Sequence, residues 1–221
     1  MKTPVTTNLT PAAGRILAGA RLHFFAHGWR SVSMDALAKE LGVSKKTFYV
    51  YFPTKLALIE AVLASKLDEV DADLARIRLE HSGNPVRGLN ELMAGWRRHI
   101  SEVRPSFLRD LQRETPELFK RFSARRRQLV NRHFGGMIEE GRAAGAMRGD
   151  LPPGFVAEVL LAAADAMGRP EKIEELQLTP RGLFSHLTSV LIEGVLTDKG
   201  RRRWASCKAR RKSPLPSKAK S

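Results

Sequence analysis

Apolar residues recur every three or four positions along most of the chain, which is the period of an amphipathic helix. One such segment lies near the N-terminus, where the spaced positions are Ala13, Leu17, Ala20 and Phe24. Pro11 can begin this helix and Gly28 can end it. Prolines and glycines separate the later periodic segments, and no stretch shows the apolar–polar alternation of a half-buried strand. The pattern therefore predicts an all-α protein.

The segment from residue 31 to residue 55 predicts two short helices joined by a tight turn. Ser33 can cap the first helix. Its apolar stripe consists of Met34, Leu37, Ala38 and Leu41. Gly42 follows, where a left-handed residue without a Cβ can end a helix. Ser44 can cap a second helix that runs from Lys45 to Tyr51 and stops before Pro53. The sequence thus predicts a helix-turn-helix.

The second of these helices should present a polar and basic face. Phe48 and Phe52 are expected to be buried beneath it. The residues expected to point outward are Lys45, Lys46, Thr47, Tyr49 and Tyr51. Such a face is typical of a helix that enters the major groove of DNA with its first residues against the base edges. We therefore expect Lys45, Lys46 and Thr47 to read bases, and a lysine is suited to guanine acceptors.

At these positions the chain resembles the N-terminal DNA-binding domain of TetR-family bacterial transcriptional regulators. The matching residues are Phe25, Gly28, Leu37, Ala38, Leu41, Gly42, Val43, Ser44, Thr47, Phe48, Tyr49, Tyr51, Phe52, Pro53 and Lys55. The resemblance implies a three-helix DNA-binding domain followed by a helical domain for ligand binding and dimerisation. It also implies that some of these side chains contact phosphates. The DNA-contacting residues that we expect are Ser33, Ser44, Lys45, Lys46, Thr47, Tyr49, Tyr51 and Lys55.

The net charge of +15 is unevenly distributed along the chain. Lys and Arg number 7 against 2 acids in residues 1–52, and 21 against 21 in residues 53–198. Residues 199–221 contain 10 cations and no acid. The excess positive charge therefore lies on the expected DNA-binding head and on the C-terminal tail, where it could neutralise phosphates. A run of this composition is expected to be disordered, and its role is open.

Four segments are expected from these patterns. They are a mobile arm over residues 1–10, a helix-turn-helix domain over 11–55, a helical ligand-binding and dimerisation domain over 56–198, and the basic tail over 199–221. No segment has the features of a signal peptide or a membrane span. The single cysteine, Cys207, has no partner for an intramolecular disulfide and fits a reducing compartment. We therefore expect a cytoplasmic protein.

The two periodic segments near residues 156–167 and 183–194 have wide apolar faces and many small residues. Such faces suit close packing in a four-helix dimer interface, and the resemblance implies pairing through the same helices. The interface residues that we expect are Val156, Val159, Leu160, Ala163, Met167, Leu183, Leu187, Val190 and Gly194.

Apolar residues on the inner sides of three predicted helices form either an ordinary core or a cavity with one polar group. These residues are Met93, Trp96, Phe107, His133, Phe134 and Met137. The resemblance favours the cavity, because this domain of the family usually holds a small-molecule inducer. Nothing in the sequence identifies that molecule.

Sequence signatures of catalysis and cofactor binding are missing. The chain has no G-x-S-x-G elbow, no G-x-G-x-x-G or Walker loop and no C-x-x-C. His23 and His27 lie four residues apart on one helix face, but the sequence shows no third metal ligand near them. We therefore expect no catalytic residue, no metal site and no cofactor.

Together these patterns favour a homodimeric transcriptional repressor that binds a palindromic operator in duplex DNA and is released by a small apolar or amphipathic ligand. One alternative is a ligand-independent architectural DNA-binding dimer. Another is a small-molecule-sequestering or catalytic helical protein with an idle head. The operator, the regulated genes and the choice between repression and activation stay open.

Overall fold

The computed structural model describes residues 10–167 and 170–212, and these residues form an all-α protein. Apart from an isolated β-bridge between Met147 and Leu196, the described residues contain no strand pairing. The helices are α1 (Pro11–His27), α2 (Met34–Glu40), α3 (Lys45–Tyr51), α4 (Lys55–Glu80), α5 (Pro85–Ser101), α6 (Pro105–Glu114), α7 (Pro116–Val130), α8 (Gly136–Ala143), α9 (Pro153–Met167), α10 (Pro170–Glu175), α11 (Pro180–Val195) and α12 (Asp198–Lys212). The predicted fold class is confirmed.

Local sequence signals set the ends of the first three helices. The side-chain oxygens of Thr10, Ser33 and Ser44 cap α1, α2 and α3. Each accepts a hydrogen bond from the backbone amide three residues further along the chain. These bonds satisfy amides that a helix start leaves without a partner. Gly42 has φ +64°, the left-handed conformation that the sequence predicted for the turn.

The described chain forms two compact units. The first comprises residues 10–73 and 96–129. Its core centres on Phe24, Phe48 and Phe107, none of which is exposed. The rings of Phe25 and Phe107 lie 5.2 Å apart, so α6 contributes to the same core as α1. This unit continues well past residue 55, where we expected the DNA-binding domain to end, because the buried faces of α4 and α6 complete its core.

The second unit comprises residues 74–95, 130–167 and 170–212. A π-helical segment, Asn131–Gly135, precedes α8 and packs against α9. Arg78 crosses the backbone at Gly136, where an added Cβ would lie 2.5 Å from the guanidinium. Its Nη2 then donates to Glu140 Oε1 at 2.7 Å. A side chain larger than glycine at position 136 would therefore have to displace the Arg78 guanidinium.

The segment from residue 199, which we expected to be disordered, is helical as far as residue 212. Thr197 accepts a hydrogen bond from the amide of Gly200 at 3.2 Å. Gly200 itself lies so close to the Ala146 carbonyl that a Cβ would approach the oxygen to 2.1 Å. The side chain of Trp204 is only 5% exposed. Composition predicted disorder because cations form no core, whereas one buried indole anchors this helix.

Two of our expectations fall partly or wholly outside the described residues. The N-terminal arm is described only at Thr10, and the tail is described only to Lys212.

No single helix in the described ranges is long and apolar enough to cross a bilayer; α3 and α4, bent by 60°, pass that test only when they are taken together.

Candidate nucleic-acid interface

The turn between α2 and α3 holds the two helices in a fixed arrangement. The Val43 amide donates to the Ala38 carbonyl at 2.9 Å, which closes the turn around Gly42. Ser44 Oγ accepts from the Thr47 amide at 3.1 Å. Phe48 is completely buried, so α3 is anchored in the core along one side. The other side of α3 is left to solvent.

Four of the side chains predicted to face DNA lie on this solvent side. Lys45, Lys46, Thr47 and Tyr49 are all exposed. The Thr47 hydroxyl lies 2.8 Å from the Ser44 hydroxyl, which fixes its direction. We call these four residues the reading face. It carries two ammonium groups and two hydroxyls, which are suited to base acceptors and phosphate oxygens.

Asp35, at the start of α2, binds two members of the reading face. The Lys45 ammonium lies 2.5 Å from Asp35 Oδ2, and the Tyr49 hydroxyl donates to Asp35 Oδ1 at 3.4 Å. The hydrogen bond to Asp35 raises the pKa of Lys45, and the attraction between the two charges adds to it. Sequence reasoning missed Asp35, because ten residues of separation across a turn give no periodic signal. The carboxylate therefore holds in place a lysine that we expected to read bases.

Other predicted contact residues have structural roles within the first unit. Tyr51 is half-buried and packs against the core instead of pointing outward as we expected. The Lys55 ammonium lies 5.1 Å from the centre of the Trp29 ring, an arrangement that stabilises the cation. Burial lowers the pKa of Lys55, although Asp110 acts in the opposite direction. Ser33 Oγ caps α2 by accepting from the Ala36 amide.

An ionic cluster joins α1, α4 and α5 within the first unit. Lys66 is only 3% exposed, and its Nζ lies 2.7 Å from Glu102 Oε2 and 3.0 Å from His99 Nδ1. Arg21 binds both Glu69 and Glu102. A hydrogen bond from Arg21 lowers the pKa of Glu69. For Glu102, burial opposes ionisation, but hydrogen bonds from Lys66 and Arg21 outweigh it and lower the pKa.

The same cluster has the residue types of a metal site. The ligand atoms of Glu69, His99 and Glu102 lie within 4.8 Å of one another. However, the Lys66 ammonium binds among these atoms, where a metal ion would have to lie. The cluster therefore already contains its cation. At the other candidate pair, His23 binds Glu40 at 3.0 Å and its ring lies 5.9 Å from that of His27.

The expected pocket residues are divided between the two units. Trp96 and Phe107 belong to the first unit, and Phe107 packs in its core against Phe25. In the second unit, Met93 and Phe134 line an apolar cavity of about 20 Å³. Its other lining residues are Leu89, Ile138, Val156, Ala157, Leu160, Leu191, Ile192 and Val195. Periodicity showed which residues face inward but not which core they enter.

The expected dimer residues differ in exposure. Leu160 and Leu183 are each 5% exposed, because α9 and α11 pack against each other within the second unit. Val190 is 71% exposed, and no neighbouring group lies within 4 Å of a Cβ placed on Gly194. The half-buried residues are Val156, Val159, Ala163, Met167 and Leu187. The outward surface of α11 therefore centres on Val190 and Gly194.

The first unit has the architecture of a helix-turn-helix DNA-binding domain. The family profile described as bacterial regulatory proteins, tetR family, matches residues 16–62. UidR of Escherichia coli K12 is 36% identical over 84 residues, which make up 38% of this chain and 39% of UidR. EthR of Mycobacterium tuberculosis H37Rv is 44% identical over 72 residues, 32% of this chain and 30% of EthR. The match thus spans less than half of either relative.

Solved structures resemble a larger part of the chain. A transcriptional regulator from Cytophaga hutchinsonii has a TM-score of 0.66 and 19% identity over 85% of this chain and 100% of that one. The ketosteroid transcriptional regulator KstR2 of Mycobacterium tuberculosis has a TM-score of 0.58 and 17% identity, covering 88% of this chain and all of its own. At these identities the likeness shows the fold alone.

The profile match, the two relatives and the shared fold agree with the residues that first suggested the resemblance. Residues 16–62 therefore carry the DNA-binding domain of the TetR family of bacterial regulatory proteins, and the rest of the chain shares the fold of such regulators.

Proposed function

We propose that the chain is a homodimeric repressor that reads a palindromic operator with α3 and is released from it by a small apolar ligand. The observation that carries this proposal is the reading face, in which Lys45, Lys46, Thr47 and Tyr49 stand exposed on a helix anchored by a buried phenylalanine. The relatives named above, UidR and EthR, are both helix-turn-helix transcriptional regulators.

Sequence-specific binding needs two copies of this helix. A helix of seven residues reaches few base pairs, so two copies about one duplex turn apart, roughly 34–36 Å, are needed to read a longer site. Val190, which is 71% exposed on α11, is the apolar residue around which we expect the two copies to pair. A two-fold dimer then matches a palindrome, because each protomer reads one half-site.

The ligand is expected to bind in the second unit. Its cavity is lined only by apolar side chains and lies beside the π-helical segment, a structure that is frequent at functional sites. An apolar molecule is therefore the ligand class that this lining would accept. Pockets that bind drug-sized ligands have volumes of about 300–1,000 Å³. The cavity must therefore expand on binding.

The small volume also favours a second candidate function. At about 20 Å³ the cavity holds no more than one water molecule. A cavity of this size agrees with a protein that binds DNA without any ligand. In that case the second unit serves dimerisation only.

Selection of bound sequences from a random duplex pool tests the proposal. A palindromic consensus, followed by footprinting of both half-sites, is the expected result. Apolar compounds are then screened for release of the selected duplex. Release by a compound that also raises the melting temperature supports the ligand-responsive repressor, whereas a consensus with no releasing compound supports the ligand-independent dimer. Enrichment of no sequence at all would contradict both.

A further inference from the structure

Two histidines and one glutamate meet where α1 passes the end of α2. His23 and His27 lie four residues apart on α1, so their side chains project from the same face of the helix. His23 Nε2 lies 3.0 Å from Glu40 Oε1, and the ring centres of His23 and His27 are 5.9 Å apart. All three residues belong to the first unit. The sequence showed a histidine pair without a third ligand, and the fold supplies a carboxylate beside it.

Close packing of the two helices holds Glu40 next to the histidines. Gly19 lies one turn before His23 on the same face of α1, and a Cβ there would overlap with the side chain of Leu41. The backbone amide of Leu41 donates to the Leu37 carbonyl at 2.9 Å and ends α2, of which Glu40 is the last residue. The three side chains are therefore presented by two helices that share a core, and not by a loop.

We propose that His23, His27 and Glu40 bind a divalent transition-metal ion, and that Zn²⁺ is the ion that suits them best. Two imidazole nitrogens and one carboxylate oxygen are a ligand set of zinc sites in which water takes the fourth position. Zn²⁺ binds such atoms at about 2.0–2.2 Å, so two of its ligand atoms lie about 3.3 Å apart. The His23 and Glu40 atoms are already 3.0 Å apart, which is close to this separation.

The position of His27 agrees with a role as the third ligand. An imidazole ring that binds Zn²⁺ through a nitrogen has its centre roughly 3.2 Å from the ion, so two rings on one ion have centres about 5–6 Å apart. The rings of His23 and His27 are at this separation. His27 is exposed at the end of α1, so its ring can turn toward the ion without disturbing the core.

This site differs from the ionic cluster because no side-chain ammonium lies among its ligand atoms. In the cluster, the Lys66 ammonium binds both His99 and Glu102. Glu40 instead has His23 as its partner, and no lysine or arginine binds Glu40 within the described part of the chain. A metal ion can therefore replace a proton between His23 and Glu40, and that proton is released to water. The bound ion joins α1 to α2 and stabilises the first unit.

Titration of the full chain with Zn²⁺, measured at neutral pH by competition with a colorimetric chelator, tests the proposal. We expect the wild type to bind one Zn²⁺ ion per chain. His27→Gln and Glu40→Gln should each lower the affinity at least about tenfold, because even groups that only support a metal ligand contribute about 10–100-fold. Both residues are exposed, so we expect both variants to fold. The titration contains no DNA, so its result is independent of the proposed function.

Two additional measurements connect the affinity to these side chains. Zn²⁺ should raise the melting temperature of the wild type, and this increase should be lost in His27→Gln. Electron paramagnetic resonance of bound Cu²⁺ counts the nitrogen ligands, and we expect two in the wild type and one in His27→Gln. A histidine with a purely structural role would not change this count.

Matched variants separate the site from adventitious binding of the ion. His81→Gln removes a histidine that is half-buried, as His23 is, and Glu80→Gln removes an exposed carboxylate, as Glu40→Gln does. Both control variants should keep the wild-type affinity for Zn²⁺. No binding by the wild type, an equal loss of affinity in the controls, or no loss in His27→Gln and Glu40→Gln would overturn the proposal.

The variant His99→Gln tests the ionic cluster as the other location for the ion. If His99→Gln loses the affinity for Zn²⁺ while His27→Gln keeps it, the ion displaces Lys66 from the cluster and the proposal is wrong. We expect the opposite result. His99 is buried, so circular dichroism must establish that this variant folds. If it does not fold, the titrations of His27→Gln and Glu40→Gln still decide the proposal.

Discussion

The backbone amide of Trp29 donates a hydrogen bond of 3.2 Å to the carboxylate of Asp110, 81 residues further along the chain. Asp110 lies on α6, and Trp29 lies in the turn that follows α1. The neighbouring Gly28 has φ +85° and ψ 179°, and a Cβ there would lie 2.8 Å from the same carboxylate. One acid thus ties α6 to the turn that begins the DNA-binding motif.

Removing this acid should destabilise the first unit. Asp110→Ala leaves the Trp29 amide without its acceptor, which costs about 1–3 kcal/mol when the group stays buried. Asp110→Asn keeps an acceptor oxygen and should retain most of the stability. Chemical denaturation measures both variants, and equal losses would show that the charge and not the hydrogen bond matters.

Substitution of Gly28 should be costly for two separate reasons. Its backbone conformation is one that glycine alone adopts readily, and residues forced into such regions lose about 1–3 kcal/mol. Gly28→Ala also brings its methyl group against Asp110. The double variant Gly28→Ala with Asp110→Ala removes the second cause only. If the double variant shows additive losses, the steric contact has no measurable effect.

Local signals in the sequence account for the parts of the fold that were predicted correctly. Ser33, Gly42 and Ser44 act within one helical turn of their own positions, so the chain itself contains all the information for α2 and α3. Burial of Phe48 follows from the same local pattern. For this reason the placement of the reading face could be predicted without the structure.

The parts that could not be predicted depend on contacts between distant segments. Asp35 meets Lys45 because of the angle between two helices, which no periodicity encodes. Phe107 was assigned to a ligand pocket, yet it lies in the core of the first unit beside Phe25. The helical α12 depends on one buried contact of Trp204, which composition cannot reveal.

Asp35 should weaken binding to all DNA while it increases the preference for the operator over random duplexes. The carboxylate repels phosphates and also holds Lys45 and Tyr49 in place. Asp35→Asn should therefore raise affinity for random duplexes several-fold and lower the ratio of operator to random binding. Anisotropy titrations with both duplexes measure this. The exposed acid Glu80 serves as the control, since Glu80→Gln removes the same charge outside α2 and α3. A higher ratio in Asp35→Asn would contradict the positioning role.

Lys46 and Tyr49 should differ in the kind of binding that they support. A lysine on a base edge contributes about 1–3 kcal/mol of discrimination, so Lys46→Ala should lower operator affinity and relax the sequence preference. Tyr49→Phe removes a hydroxyl that we assign to a phosphate, and it should weaken binding to operator and random duplex alike. A loss confined to the operator would instead place Tyr49 against the bases.

Stability at acid pH should depend on the ionic cluster around Lys66 and His99. The pKa values of Glu69 and Glu102 are lowered in the folded chain from an ordinary value of 4.5. The two carboxylates therefore stabilise the folded chain fully above pH 4.5, the pKa of the unfolded chain. This stabilisation is lost as the pH falls through the lower pKa values that the two groups have in the folded chain. Arg21→Gln removes a partner of both carboxylates, so its stability should depend less on pH over this range. Denaturation midpoints of the wild type and the variant, measured between pH 7 and pH 3, test this expectation. If the two midpoints change with pH in parallel, groups other than Glu69 and Glu102 cause the pH dependence of stability.

We expect two copies of the chain to pair through the exposed surface of α11. Operator reading depends on this pairing, because it needs two copies of α3. Val190 is 71% exposed and so can change without disturbing the core of its own unit, unlike the buried Leu183. Val190→Glu would place an unpaired charge in an apolar interface, which costs several kcal/mol. We expect a folded monomer by light scattering at micromolar concentration, with operator binding lost. Leu79, an apolar residue on α4 that is 79% exposed, provides the control, and the Leu79→Glu variant should remain dimeric. A dimeric Val190→Glu variant with normal operator affinity would show that the protomers pair through other helices.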